Sequence, residues 1–252
     1  MTDQKAMGRL ADKVAIITGA ASGFGEGMAR RFAQEGAKVV VADLNDEGAQ
    51  KVADEIGGVA VGVDVTKAAD IDKMVEAALE LGSLDILINN AGFTHRNQPM
   101  LDVDEETFDR IFDVNVKAIF LAAKRVVPIM EEQGGGVIIN TASTAGLRPR
   151  PGLVWYNSSK GAAISMTKSM AVELAPKQIR VNALCPVAGP TGMLHLFMGE
   201  DTPEKREMFK DSIPIGRLSS PQDMANAALY LSSDEANFIT GVALEVDGGR
   251  CI

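Results

Sequence analysis

The sequence predicts a three-layer α/β/α fold, in which a parallel sheet of about seven strands lies between two layers of helices. Short apolar runs rich in β-branched residues alternate with longer amphipathic stretches along the 252 residues, as they do in successive βαβ units. No linker or change of composition interrupts this alternation. Residues 1–252 are therefore expected to form a single domain.

The first strand and the first helix show the two patterns. Val14–Thr18 is a short apolar run, which indicates a buried strand. A glycine-rich turn follows it and opens a helix in which Met28, Ala29 and Phe32 recur at helical spacing. Gly36 is the expected stop signal for this helix.

The remaining elements repeat these two patterns, giving seven strands and six helices in all. In chain order they are a strand at Lys38–Ala42, a helix at Asp46–Ile56, a strand at Val59–Val65, a helix at Asp70–Leu81, a strand at Leu84–Ile88, a helix at Glu105–Glu132, a strand at Val137–Asn140, a helix at Tyr156–Leu174, a strand at Ile179–Leu184, a helix at Pro221–Ser232 and a strand at Ala243–Val246.

Two regions break the alternation, Phe93–Asp102 and Pro186–Pro214. Each follows the C-terminal end of a predicted strand, which is the edge where open α/β sheets bind ligands. We therefore expect a substrate-facing wall and a lid over residues 186–214, with Leu194, Phe197 and Met198 on an amphipathic helix. Ordinary surface loops are the alternative.

Charge and composition exclude several classes of protein. The net charge of −9 opposes binding to nucleic acid, and no Lys/Arg run offsets it. No apolar run approaches the roughly 18 residues of a membrane span, and Met1–Gly8 lacks a signal-peptide core, so a cytoplasmic location is expected. Two cysteines and two histidines without zinc-type spacing predict neither a disulfide framework nor a metal site.

The turn Thr18–Gly25 has the form of a dinucleotide-binding loop. Gly19, Gly23 and Gly25 would allow the tight turn, the approach of a pyrophosphate and close helix packing. Asp43 follows at the end of the second predicted strand, where a carboxylate can accept hydrogen bonds from ribose hydroxyls. It would repel a 2′-phosphate by about 4 kcal/mol at a distance of about 4 Å. The turn predicts a Rossmann-like doubly wound sheet with a dinucleotide site, and Asp43 predicts that this site prefers NAD to NADP.

A second group of residues indicates catalysis. Tyr156 and Lys160 lie four residues apart on one predicted helix and so share a face, and Ser143 lies just beyond a predicted strand. From Leu10 to Gly249 the chain resembles the short-chain dehydrogenase/reductase family. The motifs that carry the resemblance are the Thr-Gly-x-x-x-Gly-x-Gly turn, Asp64-Val65, Asn89-Asn90-Ala91-Gly92, Asn115, Ser143, Tyr156-x-x-x-Lys160, Cys185-Pro186 and Thr191.

The resemblance implies a role for each catalytic residue. Tyr156 would be the general acid/base and Lys160 would lower its pKa, together with the positively charged nicotinamide. Ser143 would hydrogen-bond the substrate oxygen, and Asn115 would anchor a water that leads from Lys160 to solvent.

The resemblance also implies the cofactor contacts. Thr191 and the backbone of Ala188 would hold the nicotinamide carboxamide. Phe24 and Val187 depart from the residues that are common at these positions in the family. The full expected set is Gly19, Ser22, Gly23, Phe24, Gly25, Asp43, Leu44, Asp64, Val65, Asn90, Ala91, Gly92, Tyr156, Lys160, Pro186, Ala188 and Thr191.

The sequence gives less information about the substrate. Arg148 and Arg150, with Arg96 on the facing loop, are hypothesised to recognise an anionic or polyhydroxylated substrate, because guanidinium groups suit oxyanions. Pairing of these arginines with surface acids is the alternative. The side chains expected at the substrate pocket are His95, Ser143, Thr144, Arg148, Arg150, Trp155, Gly189, Met193 and His195.

The sequence therefore predicts an NAD-dependent oxidoreductase. It would transfer hydride between a secondary alcohol, such as a sugar, polyol or hydroxy acid, and its ketone or lactone. A 3-oxoacyl thioester reductase is the alternative within the fold, and a non-catalytic NAD-sensing regulator is the alternative of another class. The resemblance also implies a homotetramer.

Overall fold

A computed structural model of the chain describes residues 8–200 and 202–252. Seven parallel strands form one sheet in the order β3-β2-β1-β4-β5-β6-β7, so the chain reverses direction across the sheet between β1 and β4. Ligands bind outside the carboxyl ends of the strands at such a point. The strands are β1 (Val14–Thr18), β2 (Lys38–Asp43), β3 (Val59–Gly62), β4 (Ile86–Asn89), β5 (Gly136–Thr141), β6 (Ile179–Pro186) and β7 (Ala243–Val246).

The helices lie on both faces of this sheet, which confirms the predicted three-layer fold. None of the helices in the described ranges is long and apolar enough to cross a membrane. They are α1 (Gly23–Gln34), α2 (Asp46–Ile56), α3 (Ala68–Glu80), α4 (Glu105–Phe112), α5 (Ala118–Glu132), α6 (Val154–Leu174), α7 (Leu194–Met198), α8 (Pro203–Asp211) and α9 (Pro221–Ser232).

Alternation along β1 divides its side chains between two apolar cores. Ala15 and Ile17 pack on one face with Phe32 of α1 and Leu229 of α9. Val14 and Ile16 pack on the other face, in the cluster that includes residues of α3, α5 and α6. Because both faces are covered, the strand is apolar throughout rather than alternately polar. This rigid centre fixes the position of the loops at the carboxyl ends of the strands.

The predicted helix Glu105–Glu132 contains an interruption that the sequence did not reveal. Residues Asp113–Lys117 form a π-helical segment between α4 and α5. Asn115 lies in this segment, and its side chain bonds both backbone groups of Phe93. A π-bulge of this kind often marks a functional position in a helix.

Other predicted element ends differ from the structure by at most two residues, but two predictions were wrong by more, at β3 and in the predicted lid. β3 ends at Gly62 rather than Val65, because the Asp64 carboxylate bonds the backbone and hydroxyl of Thr66 and takes the chain out of the sheet. In the region predicted as a lid, α7 contains the expected apolar residues, but α8 was not predicted. Thr202 caps α8 and Pro203 starts it, so its start signal was present in the sequence.

Candidate active site

A cavity of about 900 Å³ opens at the carboxyl edge of the sheet, beside the β1–β4 reversal. Its volume is sufficient for a dinucleotide and a small substrate. Sequence reasoning missed several of its lining residues, among them Thr141, Leu153 and Phe197, and also those contributed by α4. The residues predicted for the site that line the cavity are Gly19, Ser22, Gly23, Phe24, Asp43, Leu44, Asp64, Val65, Asn90, Ala91, Gly92, Ser143, Thr144, Arg150, Tyr156, Lys160, Pro186, Ala188, Gly189, Thr191 and Met193.

The glycine-rich turn is held against the loop after β4. The Thr18 hydroxyl accepts the backbone N–H groups of Asn90 and Ala91, at 2.9 and 3.0 Å. The Asn90 amide donates back to the Thr18 and Gly19 carbonyls, at 3.0 and 3.2 Å. Gly19 has a φ of +64°, and a Cβ there would lie 2.9 Å from the Ala91 Cα. A side chain at position 19 would therefore separate the two loops.

Gly25 supports the turn from inside α1 rather than lining the cavity. A Cβ at this position would overlap the backbone carbonyl of Gly19. We expect Gly25→Ala to lower the free energy of unfolding by about 1–3 kcal/mol, because a backbone group cannot move aside as a side chain can. Urea unfolding would measure this, and loss of NADH affinity is expected to accompany it.

Gly161→Ala is the matched control for this substitution. Gly161 also lies within a helix, but the nearest atom to its added Cβ would be the Gly146 carbonyl oxygen at 3.8 Å. Alanine at this position is expected to leave stability unchanged or to raise it by up to about 1 kcal/mol. Equal losses in the two variants would contradict the close approach at Gly25.

Asp43 lines the cavity at the carboxyl end of β2, whereas Ser143 follows β5, three strands further along the sheet. Its two carboxylate oxygens accept the backbone N–H groups of Ala21 and Asn45, each at 2.9 Å. The negative charge is therefore fixed beside the glycine-rich turn. Leu44, which follows it, is 70% exposed and lines the mouth of the cavity.

The long helix α6 places Tyr156 and Lys160 on one buried face, and they are only 4% and 3% exposed. The Lys160 ammonium donates to the Thr141 carbonyl at 2.7 Å and lies 5.8 Å from the centre of the Tyr156 ring. The Ser143 side chain is close enough to the Tyr156 hydroxyl to lower its pKa. The Ser143 Oγ also accepts the Ala145 N–H at 3.0 Å, which fixes its position at the end of β5.

Burial shifts both titrating groups toward their neutral forms. It raises the pKa of Tyr156 to about 12, although the Ser143 side chain and the Arg150 charge oppose this shift. Burial also lowers the pKa of Lys160 to about 8. The cofactor-free site therefore keeps the phenol protonated at neutral pH, and a further positive charge would be needed to make Tyr156 a base.

Asn115 is 2% exposed and lies beneath the cavity rather than lining it. Its Oδ1 accepts the Phe93 N–H at 2.9 Å, and its Nδ2 donates to the Phe93 carbonyl at 2.8 Å and to Ser159 Oγ at 2.9 Å. A second cavity of about 10 Å³ lies between Asn115 and Lys160. A space of this size accommodates about one water molecule.

The substrate residues predicted from the sequence divide into two groups. Arg150, Gly189, Met193 and Thr144 line the cavity, as predicted. Five other side chains do not: His95, Arg96, Arg148, Trp155 and His195.

Tertiary contacts explain why these side chains lie outside the cavity. The Arg148 guanidinium donates to the Arg250 carbonyl at 2.7 Å, and Arg96 donates to the Gly199 carbonyl at 2.8 Å. The Trp155 indole donates to the Met100 carbonyl at 3.2 Å and packs edge-on against Phe108.

The two histidines also have other surroundings. His95 is buried, with Nδ1 at 2.8 Å from the Arg96 carbonyl oxygen. His195 is exposed on α7. Of the residues on α7, it is Phe197 that reaches Tyr156, with ring centres 5.2 Å apart.

Comparisons with known proteins agree with this geometry. A family model described as enoyl-(acyl carrier protein) reductase matches residues 19–250. The 4-formylbenzenesulfonate dehydrogenase TsaC1/TsaC2 of Comamonas testosteroni is 52% identical over 95% of this chain and 98% of its own length.

Two solved structures share the fold along nearly the whole chain. The 3-ketoacyl-(acyl-carrier-protein) reductase of Brucella melitensis, complexed with NADH, is 53% identical with a TM-score of 0.91, over 96% of this chain and 100% of that one. A 7α-hydroxysteroid dehydrogenase, complexed with NADH and 7-oxo glycochenodeoxycholic acid, is 39% identical with a TM-score of 0.90, over 99% and 98% of the two chains. Together with the Tyr156–Lys160 pair and the glycine-rich turn, these matches show that the chain belongs to the short-chain dehydrogenase/reductase family and is an oxidoreductase acting on CH–OH groups.

Proposed function

We propose that the protein transfers hydride between NAD(H) and a secondary alcohol or the corresponding ketone or lactone, with Tyr156 as the general acid/base. The observation that carries the proposal is the buried group of Ser143, Tyr156 and Lys160 at one end of a cavity that reaches Asp43 at its other end. The two similar structures that were solved with NADH support the cofactor class. The hydroxysteroid dehydrogenase among them supports a secondary alcohol.

The residues present suit a dinucleotide. A Cβ on Gly23, which has a φ of +59°, would approach the Thr191 side chain to 3.3 Å and narrow the cavity at the turn. We propose that the backbone from Ser22 to Phe24 at the start of α1 binds the pyrophosphate, and that Asp43 binds the adenosine ribose. Asp64, Val65 and Asn90–Gly92 would surround the adenosine, and Pro186, Ala188 and Thr191 would hold the nicotinamide.

The bound cofactor would supply the hydride acceptor and, in its oxidised form, a positive charge near Tyr156. The chain's own residues would handle the proton. Ser143 would orient the substrate hydroxyl toward Tyr156, which would take its proton as the carbon loses hydride. Lys160 would stabilise the phenolate, and a water beside Asn115 would connect Lys160 to solvent.

The proposed preference for NAD over NADP rests on the Asp43 charge. Asp43→Asn removes this charge but keeps one oxygen that can accept a backbone N–H. We expect it to raise the kcat/KM ratio of NADP to NAD by about 10- to 100-fold, because solvent screening reduces the repulsion below its value in a dry site. Steady-state kinetics with both cofactors would measure the ratio.

Glu47→Gln is the control for the general effect of charge. Glu47 is exposed in the first turn of α2, close to Asp43 in sequence, but it does not line the cavity. Glu47→Gln should leave the NADP-to-NAD ratio of kcat/KM unchanged within about twofold, since exposed charges are screened. An unchanged ratio in Asp43→Asn would remove the basis for the NAD preference.

The test of the proposed function is absorbance of the reduced nicotinamide during incubation with NAD or NADP and a panel of sugars, polyols, hydroxy acids and simple secondary alcohols. Turnover that depends on NAD is expected. The panel also includes a 3-oxoacyl thioester with NADH and NADPH, because the Brucella structure is a 3-ketoacyl reductase by name. Exclusive turnover of the thioester would favour that alternative, and NAD binding without any turnover would favour a sensor.

The proposal extends to assembly and location. We propose a cytoplasmic homotetramer in which the segment 186–214 acts as a lid. Ile111 and Ile119 pack inside the chain, whereas Phe120 on α5 is 51% exposed and Val172 on α6 is 81% exposed. Apolar side chains of this size on two long helices support contact with another subunit. Light scattering would test the state of assembly.

A further inference from the structure

The cavity beside Tyr156 contains a positive charge that the proposed proton transfer does not use. Arg150 lies in the loop between β5 and α6, is partly buried and lines the cavity. Its charge lowers the pKa of Tyr156, so the guanidinium is within electrostatic reach of the reacting end of the site. A substrate bound to Tyr156 would therefore lie in the field of this group.

Arg150 has no acidic partner in the described residues. None of the ion pairs there includes it, and the charged groups that affect its pKa most are Arg250, Tyr156, Cys251 and Arg148. Burial and the two neighbouring arginines lower its pKa. A partly desolvated cation among other cations is costly for the free protein, and a bound anion would offset that cost.

The other cations of the cavity have local partners. Lys160 donates to the Thr141 carbonyl. Arg110 has the acidic residues Glu106 and Asp113 four and three positions away in the same continuous helix, a spacing that brings opposite charges together. The acidic side chains of the cavity lie on elements other than the Arg150 loop. They are Asp43 at the end of β2, Asp64 after β3, Glu105, Glu106 and Asp109 in α4, and Asp113 in the π-helical segment. Arg150 is thus the cation in this part of the cavity that is available to a ligand.

The position of Arg150 is fixed from both sides. Its guanidinium lies 5.0 Å from the centre of the Phe209 ring on α8, a cation–π contact that holds the side chain under the lid. Its backbone carbonyl accepts a hydrogen bond of 2.8 Å from the side-chain amide of Asn157, the residue that follows Tyr156 in α6. The same helix therefore positions the tyrosine and anchors the backbone of the loop that carries the arginine.

We propose that Arg150 determines specificity by binding an oxyanion, a carboxylate or sulfonate, that the substrate itself carries at the end remote from its reacting carbon. This inference rests on the proposed function and names the substrate class for that site. A planar guanidinium can bind either oxyanion through paired hydrogen bonds. Leu153, Phe197 and Met193 line the cavity with apolar surface, which suits a compact apolar body between the two polar ends.

Binding of ligands that cannot react tests the inference apart from turnover. The probes are 4-methylbenzenesulfonate and 4-methylbenzoate, with 4-methylbenzenesulfonamide and 4-methylbenzamide as neutral counterparts, and calorimetry with the NADH complex measures their Kd. Arg150→Met is expected to raise the Kd of both anions by about tenfold or more and to leave the amides unchanged within about twofold. NADH affinity and the melting temperature would show that the variant is folded.

Arg148→Met is the matched comparison, since it removes the same charge from the same loop but from a side chain exposed outside the cavity. It should raise the Kd of the anions by less than about threefold, because its field is screened. Equal losses in the two variants, or wild-type protein that binds anions no better than amides, would overturn the inference.

Turnover separates this inference from the proposed function. The substrates are 4-(1-hydroxyethyl)benzoate and its methyl ester, each with NAD. We expect Arg150→Met to raise KM for the acid by about tenfold and to leave KM for the ester unchanged within about twofold. Any fall in kcat that follows from removing this charge near Tyr156 should be the same for both substrates. Equal use of acid and ester by the wild type would refute the inference and leave the proposed function intact. Binding of the anions through Arg150, with no NAD-dependent turnover of either alcohol or of any member of the substrate panel, would refute the proposed function instead.

Discussion

Replacing Tyr156 with phenylalanine is expected to lower kcat by about 10³-fold while NADH affinity changes by less than about twofold. The substitution deletes only the phenolic hydroxyl, whose pKa the neighbouring Ser143 side chain lowers. The aromatic ring is 4% exposed and packs against Phe197 with ring centres 5.2 Å apart, so phenylalanine fills the same space. A loss of this size would therefore reflect the missing proton donor and acceptor rather than a changed fold.

The measurement is kcat for the best alcohol found in the substrate panel, together with NADH binding to the same preparation. Tyr230→Phe is the matched control, because the chain has only two tyrosines and Tyr230 lies on α9 with 38% of its surface exposed. It should retain full activity. Activity of Tyr156→Phe within tenfold of the wild type would show that another group moves the proton.

The two-tyrosine composition also gives direct access to the state of the phenol. In the Tyr230→Phe protein, phenolate absorbance arises from Tyr156 alone. Burial raises the pKa of Tyr156 to about 12, so no phenolate should form below about pH 10 without cofactor. NAD should shift its formation to lower pH, since a positive charge near the ring favours the ionised form.

The sequence predicted those parts of the fold and site that depend on short-range pattern. β1 and the glycine-rich turn follow one another within a few residues, and the shared face of Tyr156 and Lys160 follows from helical spacing alone. Gly25 lies behind the turn, whereas four residues of the turn and both residues of the pair line the cavity: Gly19, Ser22, Gly23, Phe24, Tyr156 and Lys160. The catalytic and cofactor-binding roles remain predictions until variants are measured.

Predictions from the sequence were wrong where contacts with distant parts of the chain determine the direction of a side chain. Arg148 and Arg150 are two residues apart in one loop and looked equivalent. Arg148 turns toward the carbonyl of Arg250, 102 residues away, while Arg150 turns toward Phe209 on a helix that was not predicted. The π-helical segment likewise depends on the bonds from Asn115 to Phe93, 22 residues earlier. No local pattern encodes such contacts.

Replacing Lys160 with methionine is expected to reduce kcat by about 10²- to 10³-fold and at the same time to change how stability depends on pH. The second effect distinguishes a buried ammonium from a merely structural lysine. Burial lowers the pKa of Lys160 from 10.5 to about 8, so folding below that pH keeps a charge in a poorly solvated site. This cost is full below the folded-state pKa and disappears as the pH rises past the unfolded value.

The free energy of unfolding of the wild type should therefore rise relative to Lys160→Met between about pH 7 and pH 10, by about 2–3 kcal/mol in total. Loss of the bond to the Thr141 carbonyl also changes the free energy of unfolding, but by an amount that does not depend on pH. The test is therefore how the difference in unfolding free energy between the two proteins changes with pH. Urea unfolding of both proteins without cofactor at several pH values would measure it.

Lys168→Met provides the control, because Lys168 is an exposed lysine about two turns further along the same helix. Its unfolding free energy should run parallel to that of the wild type over this pH range. If Lys160→Met also runs parallel, Lys160 is not held as a desolvated ammonium, and stabilisation of the Tyr156 phenolate would need another source of charge. If it diverges as expected while kcat falls, the protein retains a cation at a cost in stability because that cation is needed for proton transfer.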